Sequence, residues 1–178
     1  MEGLIVQKWK ELIVIMLMVQ DEMMKADDNN LWEYYYPKVA CKMSDITDIE
    51  NKTGKRLSKD YVDFLLCANG WNCFYQMVDL FGTEDLISDK MNRAKELLEV
   101  EIYYNEELQS LSDRLLPIAV SRDDIDLFVL VLGDGEYTGN VIWLAGGEID
   151  RFESFTEFFK AMIEYNKSCR DDLINNAI

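Results

Sequence analysis

Apolar residues recur along the first third of the chain at helical rather than strand spacing. Ile5, Trp9, Leu12, Ile13, Met16, Val19 and Met23 fall on one face of a helix over residues 5–25. Asp27-Asp28-Asn29-Asn30 brings turn chemistry that ends it. Leu31-Trp32-Glu33-Tyr34-Tyr35-Tyr36-Pro37 follows as an aromatic segment closed by proline, either packed on the domain or offered to a partner. Ser44 is placed to cap a short helix carrying Ile46 and Ile49, with Gly54 ending it. Ser58 is placed to cap the next, whose face is Tyr61, Phe64, Leu65 and Ala68, and Asn69-Gly70 offers a left-handed stop.

The second half alternates less and runs more. Residues 74–80 are rich in strand formers and read as one strand ending at Phe81-Gly82. Helical spacing returns over 84–99 through Ile87, Met91, Ala94 and Leu98. Residues 115–120 read as a strand, where Pro117 predicts an edge position or an irregular start. The continuous apolar run 127–132 predicts a central strand covered on both faces. Asp134-Gly135 and Thr138-Gly139 turn the chain into a return strand over 140–144, and Gly146-Gly147 into a short strand over 148–152. Ser154 and Glu157 form a capping box before a helix whose face is Phe155, Phe158, Phe159, Met162 and Ile163. Helices, strand, helix, meander, helix is the order of a single α+β domain.

Charge changes the picture more than length does. The 178 residues suit one domain that buries roughly 70% of its unfolded surface. They carry 34 Asp and Glu against 18 Lys and Arg, a formal net charge of −16. Such a surface repels phosphate backbones and anionic headgroups, so neither nucleic acid nor membrane is an expected direct partner. It speeds encounter with a basic protein, and it also serves solubility alone. The apolar run 12–19 is short of the ~20 residues that span a bilayer. No small-residue cleavage site precedes Gln20-Asp21-Glu22, so the run reads as a buried helix face of a cytoplasmic protein. Cys41, Cys67, Cys73 and Cys169 are scattered without metal or redox spacing, as expected of free buried thiols in a reducing compartment.

Histidine is absent, which removes Ser-His-Asp and Cys-His pairs and the commonest zinc ligand; no metal or other cofactor is expected. Gly133-Asp134-Gly135-Glu136-Tyr137-Thr138-Gly139 follows an apolar strand, but its spacing is wrong for a dinucleotide loop and its acids repel pyrophosphate. Asp123, Asp124, Asp126, Asp134 and Glu136 fail the EF-hand pattern, and a 127–144 hairpin places them at its two ends, as a solvated acidic rim. Paired carboxylates for glycoside hydrolysis stay open, since no spacing among the 34 acids singles out a pair.

Residues 44–70 resemble the opening motif of the SUKH superfamily, named for the Smi/Knr-like proteins. Ile46, Ile49-Glu50, Gly54, Leu57, Asp60-Tyr61, Phe64-Leu65 and Asn69-Gly70 carry the resemblance, and Ser58 stands where the family usually has proline. Leu80-Phe81-Gly82, Leu116-Pro117, the 127–132 strand, Val141-Ile142-Trp143, and Ser154-Phe155 with Phe158 continue it in order. The resemblance, over about residues 44–163, implies an α+β domain, a mainly antiparallel sheet flanked by helices, assigned to 44–178; residues 1–43 lie outside the resemblance and read as an extra helix and aromatic segment packed on that core. It implies no active site. Bacterial members are often immunity proteins that neutralise a cognate toxin, commonly a nuclease, by direct binding; fungal relatives are regulators of cell-wall synthesis. The expected partner is therefore a toxin with a basic surface. Asp123, Asp124, Asp126, Asp134 and Glu136 are the candidate toxin-binding carboxylates. Trp71, Tyr75 and Trp143 are the candidate aromatic anchors, a core role being the alternative for each. A homodimer is left open, as is a non-toxin regulatory module.

Overall fold

The computed structural model describes residues 2–176, with side chains over 7–175. The first helix, α1 (Glu2–Ala26), turns Trp9, Ile13, Met16, Val19 and Met23 into the core, with Leu12 half-buried. The side chain of Ile5 lies outside the described residues. Gln20 is buried on the same face because its amide donates to the carbonyls of Cys73 at 3.1 Å and Phe74 at 3.0 Å. The helix ends where the buried Asp27 carboxylate accepts the Leu31 and Trp32 N–H groups and the Tyr34 hydroxyl. The aromatic segment then lies along the start of the sheet. The Trp71 indole N–H donates to the Tyr35 carbonyl at 2.7 Å, Lys38 exchanges backbone bonds with Asn69 and Gly70, and Val39 bridges Ala68.

The next helix, α2 (Met43–Thr53), begins one residue before Ser44. Its first turn is closed by Asp45, whose carboxylate reaches back to the Lys42 N–H at 2.8 Å, so the expected Ser44 cap is replaced by an acid already inside the helix. Gly54 ends it at φ 67°, its N–H bonding the Glu50 carbonyl. Ser58 does stand at the start of α3 (Lys59–Leu65), but its hydroxyl caps nothing and is buried without a partner among the described residues. Polar side chains tie this helical pair to the rest. Glu50 Oε1 accepts the Leu57 N–H at 2.9 Å, the Thr156 hydroxyl donates to Asp60 at 2.8 Å, and the buried Tyr61 hydroxyl donates to the Phe81 carbonyl at 2.7 Å. Asn69-Gly70 comes after α3 has already stopped at Leu66, and serves a backbone crossing instead. A Cβ on Gly70, at φ 89°, would stand 2.4 Å from the Gly82 nitrogen.

Residues 74–80 are two strands rather than one. β1 (Trp71–Tyr75) and β2 (Val78–Leu80) form a hairpin about Gln76-Met77, with Gln76 itself at φ 47°. No Gly or Asn marks that turn, which is why the apolar pattern reads straight through it. The meander continues as β3 (Leu115–Ser121), β4 (Leu127–Val131), β5 (Val141–Leu144) and β6 (Glu148–Phe152), all antiparallel in the order β1-β2-β3-β4-β5-β6. β3 is interior, so Pro117 marks no edge; it marks the irregular start, at a register shift between Pro117 and Ala119. Every residue of β4 is buried, as its unbroken apolar run demands.

Helices cover both faces. α6 (Phe155–Asn176) lies beside α1, and Phe158 meets the rings of Phe74, Phe128 and Phe152. Ser154 accepts the Glu157 N–H at 3.2 Å, but the Glu157 carboxylate turns to Lys160, so only half of the expected capping box forms. Because Phe128 faces α6, Leu127 and Val129 face the other way. There α4 (Asp89–Tyr104) packs on β3 and β4 through Met91, Ala94 and Leu98. The helical stretch expected over 84–99 is broken at Ser88, which accepts the Lys90 N–H and separates α4 from a 3₁₀ turn over Asp85–Ile87. Asn105 ends α4 and caps α5 (Glu106–Leu111), a helix the hydrophobic pattern left unread.

Candidate interaction surface

The five singled-out carboxylates occupy two places. Asp123 and Asp124 are exposed in the β3–β4 loop and Asp126 is half-buried beside them. Asp134 and Glu136 are exposed in the β4–β5 loop, at the opposite end of the hairpin, on the order of 15–20 Å away along β4. Three of the five are not equivalent to free surface charges. Asp126 Oδ1 accepts the Trp143 indole N–H at 2.8 Å. Asp124 is folded onto its own loop, accepting the Ile125 N–H at 2.8 Å while its carbonyl takes Arg93 at 3.0 Å. In the β4–β5 loop, Glu136 hydrogen-bonds Tyr137, which holds that phenol above its usual range.

The proposed aromatic anchors are core residues. Trp71 is fully buried, and Tyr75 and Trp143 are less than a tenth exposed. Trp143 stacks on Phe128 at 5.0 Å and meets Tyr165 and Tyr75 edge-on at 5.2 and 5.8 Å. The strands carrying them are covered by α1 and α6 on that face, so these rings have no open face to present. The most exposed aromatics lie elsewhere, Tyr36 beside the start of the sheet and Tyr103 and Tyr104 at the end of α4; Tyr35 and Tyr137 are exposed to a lesser degree.

Missing from the sequence reading was a buried ionic network under the aromatic segment. Asp79 and Asp85 are both buried, and Lys90 Nζ bridges them at 2.8 and 3.4 Å. Arg122 grips Asp79 at 3.0 Å and reaches Glu33 at 2.7 Å, its guanidinium 5.5 Å from the Tyr35 ring; Lys38 completes the set on Asp85 at 2.8 Å. Burial pushes the Asp79 carboxyl up, but hydrogen bonds from Arg122, Lys90 and the Cys73 N–H outweigh it and hold the group below its ordinary value. Held charged between Lys90 and Arg122, the Asp79 carboxylate acts as a clamp between β2, α4 and the β3 end. The alternation that found the strands could not show it, because Asp79 sits inside an apolar run and its partners lie 11 and 43 residues on.

Burial also sets the thiols. Desolvation pushes Cys41 and Cys73 up to about 11, and raises Cys67 and Cys169, so all four are held as neutral thiols near pH 7. Among the described residues, His, Cys, Asp and Glu side chains form no group of three able to hold a metal ion, and no helix is long and apolar enough to cross a membrane. A concavity of about 660 Å³ forms an open groove between α1, β6 and α6, lined by both charge signs and by Leu12, Ile15 and Phe152.

No curated protein matches the chain significantly. Residues 40–161, from just before α2 to the second turn of α6, match the sequence model of the SMI1 / KNR4 family (SUKH-1). That stretch contains the whole six-stranded meander and the Gly70–Gly82 crossing, and leaves α1 and the aromatic segment outside it. By that match, and by the fold its residues adopt, this chain belongs to the SMI1 / KNR4 family (SUKH-1).

Proposed function

We propose that the chain is a cytoplasmic immunity protein, acting by binding rather than by catalysis, that neutralises a cognate toxin through direct contact with a basic surface such as a nuclease's substrate cleft. The observation that carries the reading is the surface charge: 34 acidic against 18 basic side chains, with Lys38, Lys90, Arg122, Arg151 and Arg170 already held by acids of the same chain. The cations that remain cannot neutralise the exposed carboxylates, and a nuclease must keep a basic cleft for its phosphate substrate. Opposite fields of this kind raise association rates and reject wrong partners. Co-expression with toxins encoded by neighbouring genes tests it. Growth rescue with a stable complex whose association slows as salt rises is expected; no rescue and no binding with any of them counts decisively against it.

A second reading, a regulatory scaffold in cell-envelope synthesis, draws on the outer face of α1, where Val14, Ile15 and Met18 stay exposed after the helix has packed. Pull-downs dominated by envelope-synthesis proteins, with no toxin gene nearby, would favour it.

A further inference from the structure

The last two turns of α4 carry an unusual surface. Val100, Tyr103 and Tyr104 are 57%, 74% and 81% exposed, and the two tyrosine rings meet edge-to-face at 4.8 Å with an interplanar angle of 86°. With Glu96 and Glu99 they line a shallow depression of about 310 Å³. The carboxylates of those two glutamates, and of Glu106 at the start of α5, make no hydrogen bond or ion pair among the described residues. Lys95, just before the patch, lines a separate hollow with Lys52, Asn92 and Leu116, and no Lys or Arg occurs from Glu96 through Asp113. Its neighbours differ: Glu101 is taken by the Gly146 N–H and Glu107 by Arg151.

Rigid aromatic rings, free carboxylates and a fixed backbone are the ingredients of a protein-binding anchor. The backbone is fixed because Met91, Ala94 and Leu98 are in the core and Ser88 and Asn105 hold the helix ends. An arginine or lysine entering the depression meets a ring face and a carboxylate together, so cation–π and ion-pair attraction act on the same group. A second copy of this chain is a poor occupant, since two-fold contact would set Glu96, Glu99 and Glu106 against their own copies. Phosphate and anionic lipid are repelled for the same reason.

We infer that Glu96, Glu99, Val100, Tyr103 and Tyr104 form the anchor site for an Arg/Lys-bearing segment of the protein partner. The inference rests on the reading above that the partner is basic, and moves its contact from the hairpin loops to α4. The probe that tests it is a hexa-arginine peptide titrated into the isotope-labelled full-length chain. Amide shifts concentrated on residues 96–107, with affinity lowered at least tenfold by Tyr103→Ala/Tyr104→Ala and separately by Glu96→Gln/Glu99→Gln, are the expected result. Unchanged thermal unfolding shows that both double variants still fold. Shifts centred on 123–126 or 134–136, or unaltered affinity in both variants, overturn the inference. The same variants enter the toxin rescue assay: wild-type rescue with undiminished rescue by both variants rejects the α4 site and leaves the immunity reading standing. Peptide docking on α4 without rescue from any encoded toxin does the reverse.

Discussion

Gly82 crosses Asn69 so closely that a Cβ on the glycine would stand 2.0 Å from the Asn69 carbonyl oxygen. The same crossing is held from the side by Asn69, whose amide donates to the Thr83 hydroxyl at 3.0 Å and whose Oδ1 accepts the Thr83 N–H at 2.8 Å. Neither backbone can yield without breaking that pair. Gly82→Ala is therefore expected to destabilise the domain by about 3 kcal/mol or more, measured by urea denaturation, well above an ordinary surface substitution. A loss below about 1 kcal/mol would mean that the crossing relaxes freely.

Asp79 gives the fold a defined acid sensitivity. Its carboxyl is held below its ordinary value in the folded chain, so the unfolded state binds the proton more readily. The stabilisation it contributes is then fully present above about pH 4–5 and disappears as pH falls through the folded value. Asp79→Ala removes the shared buried acceptor of Lys90, Arg122 and the Cys73 N–H, leaving the two partly exposed cations to Asp85 and Glu33, and is expected to cost about 1–3 kcal/mol at pH 7. The difference between wild type and variant should shrink when unfolding is measured towards pH 3. A pH-independent difference would show that the carboxylate's charge is not what matters.

Ser58 invites the opposite change. Its backbone, at φ −67° and ψ 148°, already matches proline, its N–H makes no hydrogen bond among the described residues, and its buried hydroxyl has no partner. Ser58→Pro narrows the unfolded ensemble without losing a native bond, and is expected to stabilise by roughly 0.4–1 kcal/mol, read as a higher denaturation midpoint at unchanged slope. A lower midpoint would show that the N–H or the hydroxyl does have a partner.

Asp126 separates a structural carboxylate from a binding one. Asp126→Ala leaves the Trp143 indole N–H without its acceptor and is expected to cost about 1–2 kcal/mol with a change in tryptophan emission. Asp126→Asn keeps an acceptor oxygen and should restore both. If the asparagine variant instead keeps stability but loses partner binding, the charge at this position acts at the interface.

The chain's own pattern determined the elements whose burial repeats locally. The faces of α1 and α6, the all-apolar β4, the β4–β5 hairpin and the Gly54 stop follow from 3.6-residue or two-residue periodicity and from turn chemistry within a few positions. The composition likewise set the sign of the surface field. Tertiary structure alone decided which charges are free and which rings are open. Trp71, Tyr75 and Trp143 read as ready anchors until α1, α6 and the aromatic segment are laid over their strands. Asp79 and Asp85 read as two more members of an acidic majority until Lys38, Lys90 and Arg122 arrive from three other parts of the chain. Pairing and burial of this kind depend on contacts between residues tens of positions apart, which no local period encodes. The same long-range packing leaves the end of α4 uncovered, with its tyrosines outward and, among the described residues, the Glu96 and Glu99 carboxylates unpaired.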